Sequence, residues 1–153
     1  MKTALKLRKG FTLIELLVVI GILAVLLAIT LIAINPARQF SQANNTKRSS
    51  DVNAVLNAVG QYAADNKGAL PTGIDTTVRT ITDAAGGANI CVSLVPQYIA
   101  ALPVDPLTNN GTAVTNCAAS YNTNYTIVRS ATNNRLTVAA PAAELSASIS
   151  ASR

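Results

Sequence analysis

Hydrophobic and polar positions divide the chain into a short polar start, one long apolar run and a mixed remainder. The polar start is basic and ends at Gly10, and the apolar run occupies residues 11–34. A run of about 20 apolar residues is long enough to cross a bilayer as a helix. Because the run is apolar on every side of such a helix, the pattern predicts a segment that lies in lipid or in the core of an assembly.

A second, amphipathic helix pattern follows the apolar run. Its apolar residues recur at helical spacing over residues 52–63, and a glycine and a proline shortly beyond them end the pattern. Asn35 and Pro36 lie between the two patterns, and proline removes an amide donor and clashes with the preceding helical turn. The sequence therefore predicts either one helix over residues 11–66 with a kink at Pro36, or two helices with a break at residues 35–37.

The remainder of the chain is rich in turn residues and contains short β-prone runs. The two clearest runs are residues 125–129 and 135–139, and the two asparagines between them are typical of a hairpin turn. A further β-prone run covers residues 76–81, a short helix is expected to start near Pro96, and the Ala/Ser-rich segment 142–153 is expected to be disordered. The predicted fold class is α+β: a long N-terminal helix, membrane-spanning in its first half and amphipathic in its second, packed on a small antiparallel β-sheet.

The charge distribution provides no strongly basic surface outside the polar start. The formal net charge is +5, but four of the twelve basic residues precede Phe11, and the others nearly balance the seven acids. A nucleic-acid-binding surface needs a basic patch, so no nucleic-acid partner is predicted for the subunit alone. The chain has no histidine, no nucleophile motif and no phosphate loop, so we predict neither an enzyme nor a cofactor.

Two cysteines, Cys91 and Cys117, lie in the polar part of the chain. Basic residues are denser before the apolar run than after it, which favours an N-terminus on the cytoplasmic side of the membrane. The cysteines would then lie in an oxidising exterior, where a disulfide between them is expected. The alternative is a pair of free, buried cysteines.

The junction between the basic start and the apolar run carries a specific sequence. Residues 9–16 read KGFTLIEL and closely resemble the leader junction of the type IV pilin family. The resemblance, which covers residues 6–34, implies that a membrane-embedded prepilin peptidase cuts after Gly10 and then methylates the amine of Phe11. It also implies that Glu15, the fifth residue after the cut, serves subunit assembly.

Glu15 lies inside the apolar run, where an unpaired carboxylate is costly. After a cut at Gly10, Phe11 carries a charged amine one helical turn away. A matched pair of opposite charges costs less than two unpaired ones, so Glu15 is expected to pair with this amine in its own chain or in a neighbouring subunit. A pair between neighbours would also set the axial register of the subunits. The alternatives are a carboxylate that reaches the cytoplasmic face and a protonated carboxyl group.

Residues 102–106 read LPVDP and are similar to a turn common in the pseudopilins of type II secretion. In the major pseudopilins a calcium site lies downstream of that turn, which makes Asp105 and Asn109 candidate calcium ligands here. Residues 107–115 contain no acid, however, and hard cations prefer charged oxygen ligands. The composition therefore favours a rigid proline turn without a metal.

These features combine into a predicted structural subunit with four segments. They are a cleaved leader at residues 1–10, a transmembrane and filament-core helix at 11–34, its amphipathic continuation at 35–66, and a small β-containing head at 67–153. The resemblance implies a single-pass precursor in the cytoplasmic membrane, with its N-terminus inside, that polymerises with copies of itself into an extracellular filament. The expected partners are membrane lipid, the prepilin peptidase, a pilus assembly platform and its ATPase.

The use of such a filament is left open between adhesion, motility and DNA uptake. One alternative is a pseudopilin of a type II secretion system. The other is an uncleaved membrane anchor that presents a binding domain, with Gly10 only a turn residue at the membrane face.

Overall fold

The computed structural model describes residues 10–153, so most of the predicted leader, residues 1–9, lies outside the described part of the chain. In residues 10–153, three α-helices and four β-strands follow in the order α1 (Leu13–Ile34), α2 (Pro36–Asp65), β1 (Arg79–Thr82), α3 (Cys91–Leu94), β2 (Asn122–Arg129), β3 (Leu136–Ala140) and β4 (Ile149–Ser152). The predicted α+β class is confirmed: a long apolar helix precedes a second helix and a small antiparallel sheet. The described part of the chain divides into two compact units, residues 10–39 and residues 40–153.

The first unit contains the apolar helix α1. This helix is long and apolar enough to cross a membrane by length and composition, and all of its side chains are exposed. A helix that is apolar on every side needs lipid or other helices around it, since water would leave its side chains unburied. The exposed side chains of α1 therefore need contacts from outside this chain, in lipid or from other helices.

Helix α1 ends where Asn35 adopts a left-handed backbone conformation, with a φ of 46°. Pro36 is the first residue of α2, a position where its missing amide donor leaves no bond unmade. The amides of Arg38 and Gln39 donate to the carbonyl oxygen of Asn35 and so start the second helix. The chain thus has two helices with a break at Asn35, which is the second of the two sequence alternatives.

The second unit contains an antiparallel sheet whose strands lie in chain order, β1-β2-β3-β4. The predicted hairpin is present as β2 and β3, with Thr126 opposite Ala139 and Arg129 opposite Leu136. Asn134 in its turn has a φ of 57°, a conformation that asparagine adopts more readily than most residues. Strand β1 reaches β2 only after a long connection, residues 83–121.

One face of α2 and the inner face of the sheet form the hydrophobic core. The helical spacing correctly predicted four buried residues of α2: Val52, Val55, Leu56 and Val59. The sheet contributes six buried residues to the same cluster: Ile81, Tyr125, Ile127, Leu136, Val138 and Ala140. Alternate residues of β2 point into this core, as expected for a strand with one buried face. The second unit therefore has a core of its own.

A disulfide joins Cys91 and Cys117, whose Cα atoms are 5.5 Å apart, as the sequence predicted. Cys91 is fully buried at the start of α3, and its amide donates to the hydroxyl group of Tyr121 over 3.4 Å. The two cysteines are separated by 26 positions, both within the long connection between β1 and β2. The bond therefore restricts the part of the head that has the least regular structure.

Two sequence predictions in the head are wrong. Helix α3 precedes Pro96 instead of starting near it, because Val95 before the proline takes an extended conformation that ends the helix. The segment 142–153 is not wholly disordered, since Ile149–Ser152 form β4 and pair with β3. Alanine and serine carry little strand propensity, so backbone pairing with β3, which composition does not reveal, orders this edge of the sheet.

Candidate functional site

The leader junction forms a reciprocal cap at the start of α1. Thr12 is the N-cap residue, and its hydroxyl oxygen accepts a hydrogen bond from the Glu15 amide over 3.3 Å. In return, Oε2 of Glu15 accepts hydrogen bonds from the Thr12 amide, over 2.8 Å, and from the Thr12 hydroxyl, over 2.7 Å. This capping box satisfies amide groups that the first turn of a helix leaves unpaired. Glu15 therefore has a partner within the uncut chain.

Gly10 and Phe11 lie in the exposed segment that precedes this cap. The side chain of Phe11 is 84% exposed, and no atom lies within 4 Å of the position that a Cβ would take on Gly10. A larger side chain at Gly10 would thus meet no obstacle in the described part of the chain. The contacts of the described residues therefore do not require glycine at this position.

Glu15 borders an apolar surface in the first turns of α1. A shallow depression of about 350 Å³ is lined by Phe11, Ile14, Glu15, Val18 and Val19. The carboxylate is the charged group in this lining, and its bonds to Thr12 hold it at the N-terminal end of the helix. That end carries the positive pole of the helix dipole, which favours a negative charge there. The arrangement places one fixed charge at the tip of a long apolar helix.

A second candidate site lies in the head, where α2 meets the proline turn at residues 102–106. The side chains of Arg48 and Asp105 are fully buried, with Nε of Arg48 donating to Oδ2 over 2.6 Å and Nη2 donating to Oδ1 over 3.2 Å. Two parallel hydrogen bonds of this kind are the strongest arrangement for an arginine and a carboxylate. The bond to Asp105 is the main reason why the pKa of Arg48 is raised above its ordinary value.

Glu144 adds a third charge to this pair, and we call Arg48, Asp105 and Glu144 the Arg48 network. Nη1 of Arg48 donates to Oε2 of Glu144 over 2.8 Å, and the side chains of Ser41 and Asn44 donate to the same carboxylate. These bonds, chiefly that from Arg48, lower the pKa of Glu144 from its ordinary value of 4.5 to about 2. Glu144 is therefore charged at neutral pH and ties the segment between β3 and β4 to α2.

The two candidate calcium ligands have different surroundings. Both oxygens of Asp105 accept hydrogen bonds from Arg48, and Oδ1 also accepts one from the Leu107 amide over 3.0 Å. Asn109 is exposed at the start of a single 3-10 turn. Within residues 10–153, no three or more His, Cys, Asp or Glu side chains are grouped so that they could hold a metal ion. Calcium binding at Asp105 and Asn109 stays the untested alternative to the predicted proline turn without a metal.

Sequence reasoning missed the capping role of Thr12 and the partners of Asp105. A local signal existed for the cap, because Thr12 and Glu15 have the spacing and residue types of a capping box. No local signal marks the other two members of the Arg48 network, since Arg48 and Glu144 are 96 positions apart. Each looks like an ordinary surface charge until the fold brings them together.

A comparison with known protein families finds a motif in the segment that contains the leader junction. The family described as the prokaryotic N-terminal methylation motif matches residues 5–31, which include the capped junction and most of α1. The chain therefore carries a type IV prepilin-like leader, and its α+β architecture is pilin-like. This is consistent with a pilin or a pseudopilin, families whose members are structural. No curated protein and no solved structure matches the chain.

Proposed function

We propose that the chain is the precursor of a pilin, which polymerises into a type IV pilus-like filament on the cell surface. The observation that carries the proposal is the methylation motif at residues 5–31, whose junction directly precedes an exposed helix of membrane-spanning length. A prepilin-type leader implies processing by a prepilin peptidase and membrane anchoring before assembly. The filament would serve adhesion, motility or DNA uptake.

The proposed sequence of events begins in the cytoplasmic membrane, with the N-terminus inside. The peptidase cuts the peptide bond between Gly10 and Phe11 and methylates the new amine of Phe11. An assembly platform, driven by an ATPase, then draws the subunit from lipid into a bundle of α1 helices. Lipid and neighbouring α1 helices offer the apolar contacts that the exposed side chains of α1 lack in a single chain.

Cleavage gives Glu15 a new partner in this scheme. In the uncut chain its carboxylate accepts hydrogen bonds from the neutral amide and hydroxyl of Thr12. The amine of Phe11 created by the cut is positively charged, so a bond between it and the Glu15 carboxylate adds the attraction between two opposite charges, which the bonds to Thr12 lack. We infer that Glu15 leaves its capping role to bind the Phe11 amine of a neighbouring subunit. The exchange would couple assembly to cleavage.

Two alternative functions can be distinguished by experiment from that of a pilin. A pseudopilin of type II secretion is favoured by the similarity of residues 102–106 to a pseudopilin turn, and disfavoured by the absence of acids in residues 107–115. An uncleaved membrane anchor with a binding domain requires no processing at Gly10. The three functions differ in whether the chain is cut and in whether it reaches a surface filament.

The experiment compares the wild type with Gly10→Val in cells that produce the protein. We expect the wild-type chain to be shortened by the leader, and filaments sheared from the cells to contain it when viewed by immunogold electron microscopy. Gly10→Val should leave the chain at full length and abolish these filaments. Because no atom of the described part of the chain lies within 4 Å of a Cβ at Gly10, we expect this result to report processing and not misfolding.

Gly21→Val is the matched control for processing. Gly21 lies in α1 and also has open space at its Cβ position, so the substitution adds the same bulk away from the junction. Its leader should be removed as in the wild type. A processed wild-type chain without surface filaments would indicate the pseudopilin, and a functional full-length wild-type chain would indicate the uncleaved anchor.

A further inference from the structure

A cavity of about 630 Å³ lies at one end of the sheet in the head, away from the Arg48 network. Its lining combines residues from the segment after α2, from the end of β2, from the start of β3 and from the residue after β4. Volumes of several hundred Å³ are typical of sites for small organic molecules. The lining contains Arg129 and Arg153 but no acidic residue.

Arg129 has an unusual hydrogen-bonding state in this cavity. Its backbone amide donates to the carbonyl oxygen of Asp75 over 2.8 Å, which fixes the end of β2. Its side-chain Nε is buried, and within residues 10–153 it has no hydrogen-bond partner. Buried polar atoms almost always have a partner in proteins, so an unpaired one requires an explanation. A ligand that accepts a hydrogen bond would provide the partner that the chain lacks.

Position along β2 explains why this donor is buried. Thr123, Tyr125 and Ile127 occupy alternate positions and face the core, and Arg129 continues the same alternation at the strand's end. A guanidinium group is therefore placed on the inner side of the sheet, opposite Leu136 of β3. Arg129 as a whole is half-buried, and its Nε is the donor that this position buries.

The positive charge in the cavity has little compensation from the chain. Arg153 donates through Nη1 to the neutral side chain of Asn57 over 2.8 Å. Asp75, an acid that precedes β1 in the chain, forms its ion pair with Arg79. Among the described residues, neither Arg129 nor Arg153 forms a salt bridge. Two cations without a bound carboxylate create a local preference for anions.

We propose that this cavity binds a small organic carboxylate, with Arg129 as its main ligand. The planar guanidinium of arginine matches a carboxylate with parallel donors, and the unpaired Nε supplies one of them. Leu70, Ile74 and Leu136 line the same cavity and offer apolar contact to the organic part of the molecule. The proposal concerns the head alone, so its failure would leave the proposed filament function untouched.

The test uses the full-length protein, ¹⁵N-labelled in detergent micelles, with sodium benzoate and sodium acetate as probes and sodium chloride at matched ionic strength as reference. The Nε–Hε resonance of Arg129, identified by its loss in Arg129→Gln, should shift saturably with both carboxylates, and at lower concentration with benzoate. The Nε–Hε resonance of Arg135, which is exposed in the neighbouring turn, should not shift with either carboxylate. A shift that chloride reproduces, or no shift of Arg129, overturns the proposal.

Variants give a second readout through the benzoate-dependent rise in the unfolding temperature of the head. Loss of a charged hydrogen-bond partner should weaken the apparent benzoate affinity of Arg129→Gln at least about tenfold. Arg135→Gln removes the same charge from a nearby exposed position and should retain wild-type affinity. Unchanged benzoate affinity in Arg129→Gln would show that Arg129 is not the ligand and would overturn the assignment.

Discussion

Arg48 and Asp105 lie 57 positions apart in the chain, yet their buried side chains meet through two hydrogen bonds, the shorter of 2.6 Å between Nε and Oδ2. The pair joins α2 to the proline turn at residues 102–106. A buried ion pair gains little net free energy over apolar residues of the same size, but removal of one partner leaves an uncompensated charge. The ion pair therefore fixes the position of the proline turn against α2.

Replacement of Asp105 by asparagine should destabilise the head strongly. The substitution keeps the shape of the side chain but leaves the buried charge of Arg48 with only Glu144, so we expect a loss of about 3 kcal/mol in the free energy of unfolding. Urea unfolding of the full-length protein in detergent can measure this loss through tyrosine fluorescence, because all four tyrosines lie between residues 62 and 125.

Asp75→Asn is the matched control for this experiment. Asp75 pairs with Arg79 on the surface, with 44% of its side chain exposed, so its loss should lower the free energy of unfolding much less than the loss of Asp105. The double variant Arg48→Met, Asp105→Leu should be more stable than Asp105→Asn, since it leaves no fully buried charge unpaired and only the partly exposed Glu144 loses its cation. Equal stabilities of Asp105→Asn and Asp75→Asn would contradict the structural role given to the pair.

The pH dependence of stability should report Glu144. Its pKa is about 2 in the folded chain, below the ordinary value of 4.5, because Arg48, Asn44 and Ser41 donate to the ionised form. The ionised group thus stabilises the fold above about pH 4.5, and this contribution is lost as the pH falls toward 2. Unfolding temperatures measured from pH 7 to pH 2.5 should decrease in this window.

The Glu144→Gln variant tests whether Glu144 causes the loss of stability between about pH 4.5 and about pH 2. The variant should be less stable than the wild type at pH 7, and the difference should narrow as the pH falls from about 4.5 toward 2. Asp75 and Asp83 also have lowered pKa values, so the variant should keep part of the acid sensitivity. A difference that stays constant across the whole pH range would rule out Glu144 as its source.

Loss of the disulfide should destabilise the head without changing its fold class. The two cysteines are 26 positions apart, for which chain entropy predicts a stabilisation of about 3–4 kcal/mol. The double variant Cys91→Ser, Cys117→Ser should unfold at correspondingly lower urea concentration. A reductant should lower the wild type to the level of the variant and leave the variant itself unchanged.

Thr12→Ala and Glu15→Ala separate the two roles given to Glu15. Both variants break the capping box, and loss of an N-cap side chain costs about 1 kcal/mol of helix stability. Only Glu15→Ala also removes the charge proposed to bind the neighbour's Phe11 amine. We expect filaments in the sheared fraction from Thr12→Ala but none from Glu15→Ala, with the leader removed in both.

An equal reduction of filament in these two variants would show that Glu15 acts only through the cap. Normal assembly of Glu15→Ala would refute the proposed charge pairing between subunits. Leader removal, followed by the change in mass of the chain, is the internal control, because an uncut variant cannot expose the Phe11 amine.

The sequence by itself determined the features that depend on neighbouring residues. The apolar run predicts α1 because any helix of that composition is apolar all round, and the spacing of Val52, Val55 and Val59 predicts the buried face of α2. The β2–β3 hairpin follows from two β-prone runs on either side of a turn. The junction at Gly10 and Phe11 can likewise be recognised as a motif in the sequence.

Only the tertiary structure decided which charged residues are buried and what they meet. Arg48, Asp105 and Glu144 come from three distant segments, and burial of Arg48 and Asp105 is tolerable only because their charges are paired. Arg129 and strand β4 depend in the same way on the sheet that surrounds them. Local patterns report the face that a segment buries, whereas partners across the chain are set by packing, which brings together residues that no local period relates.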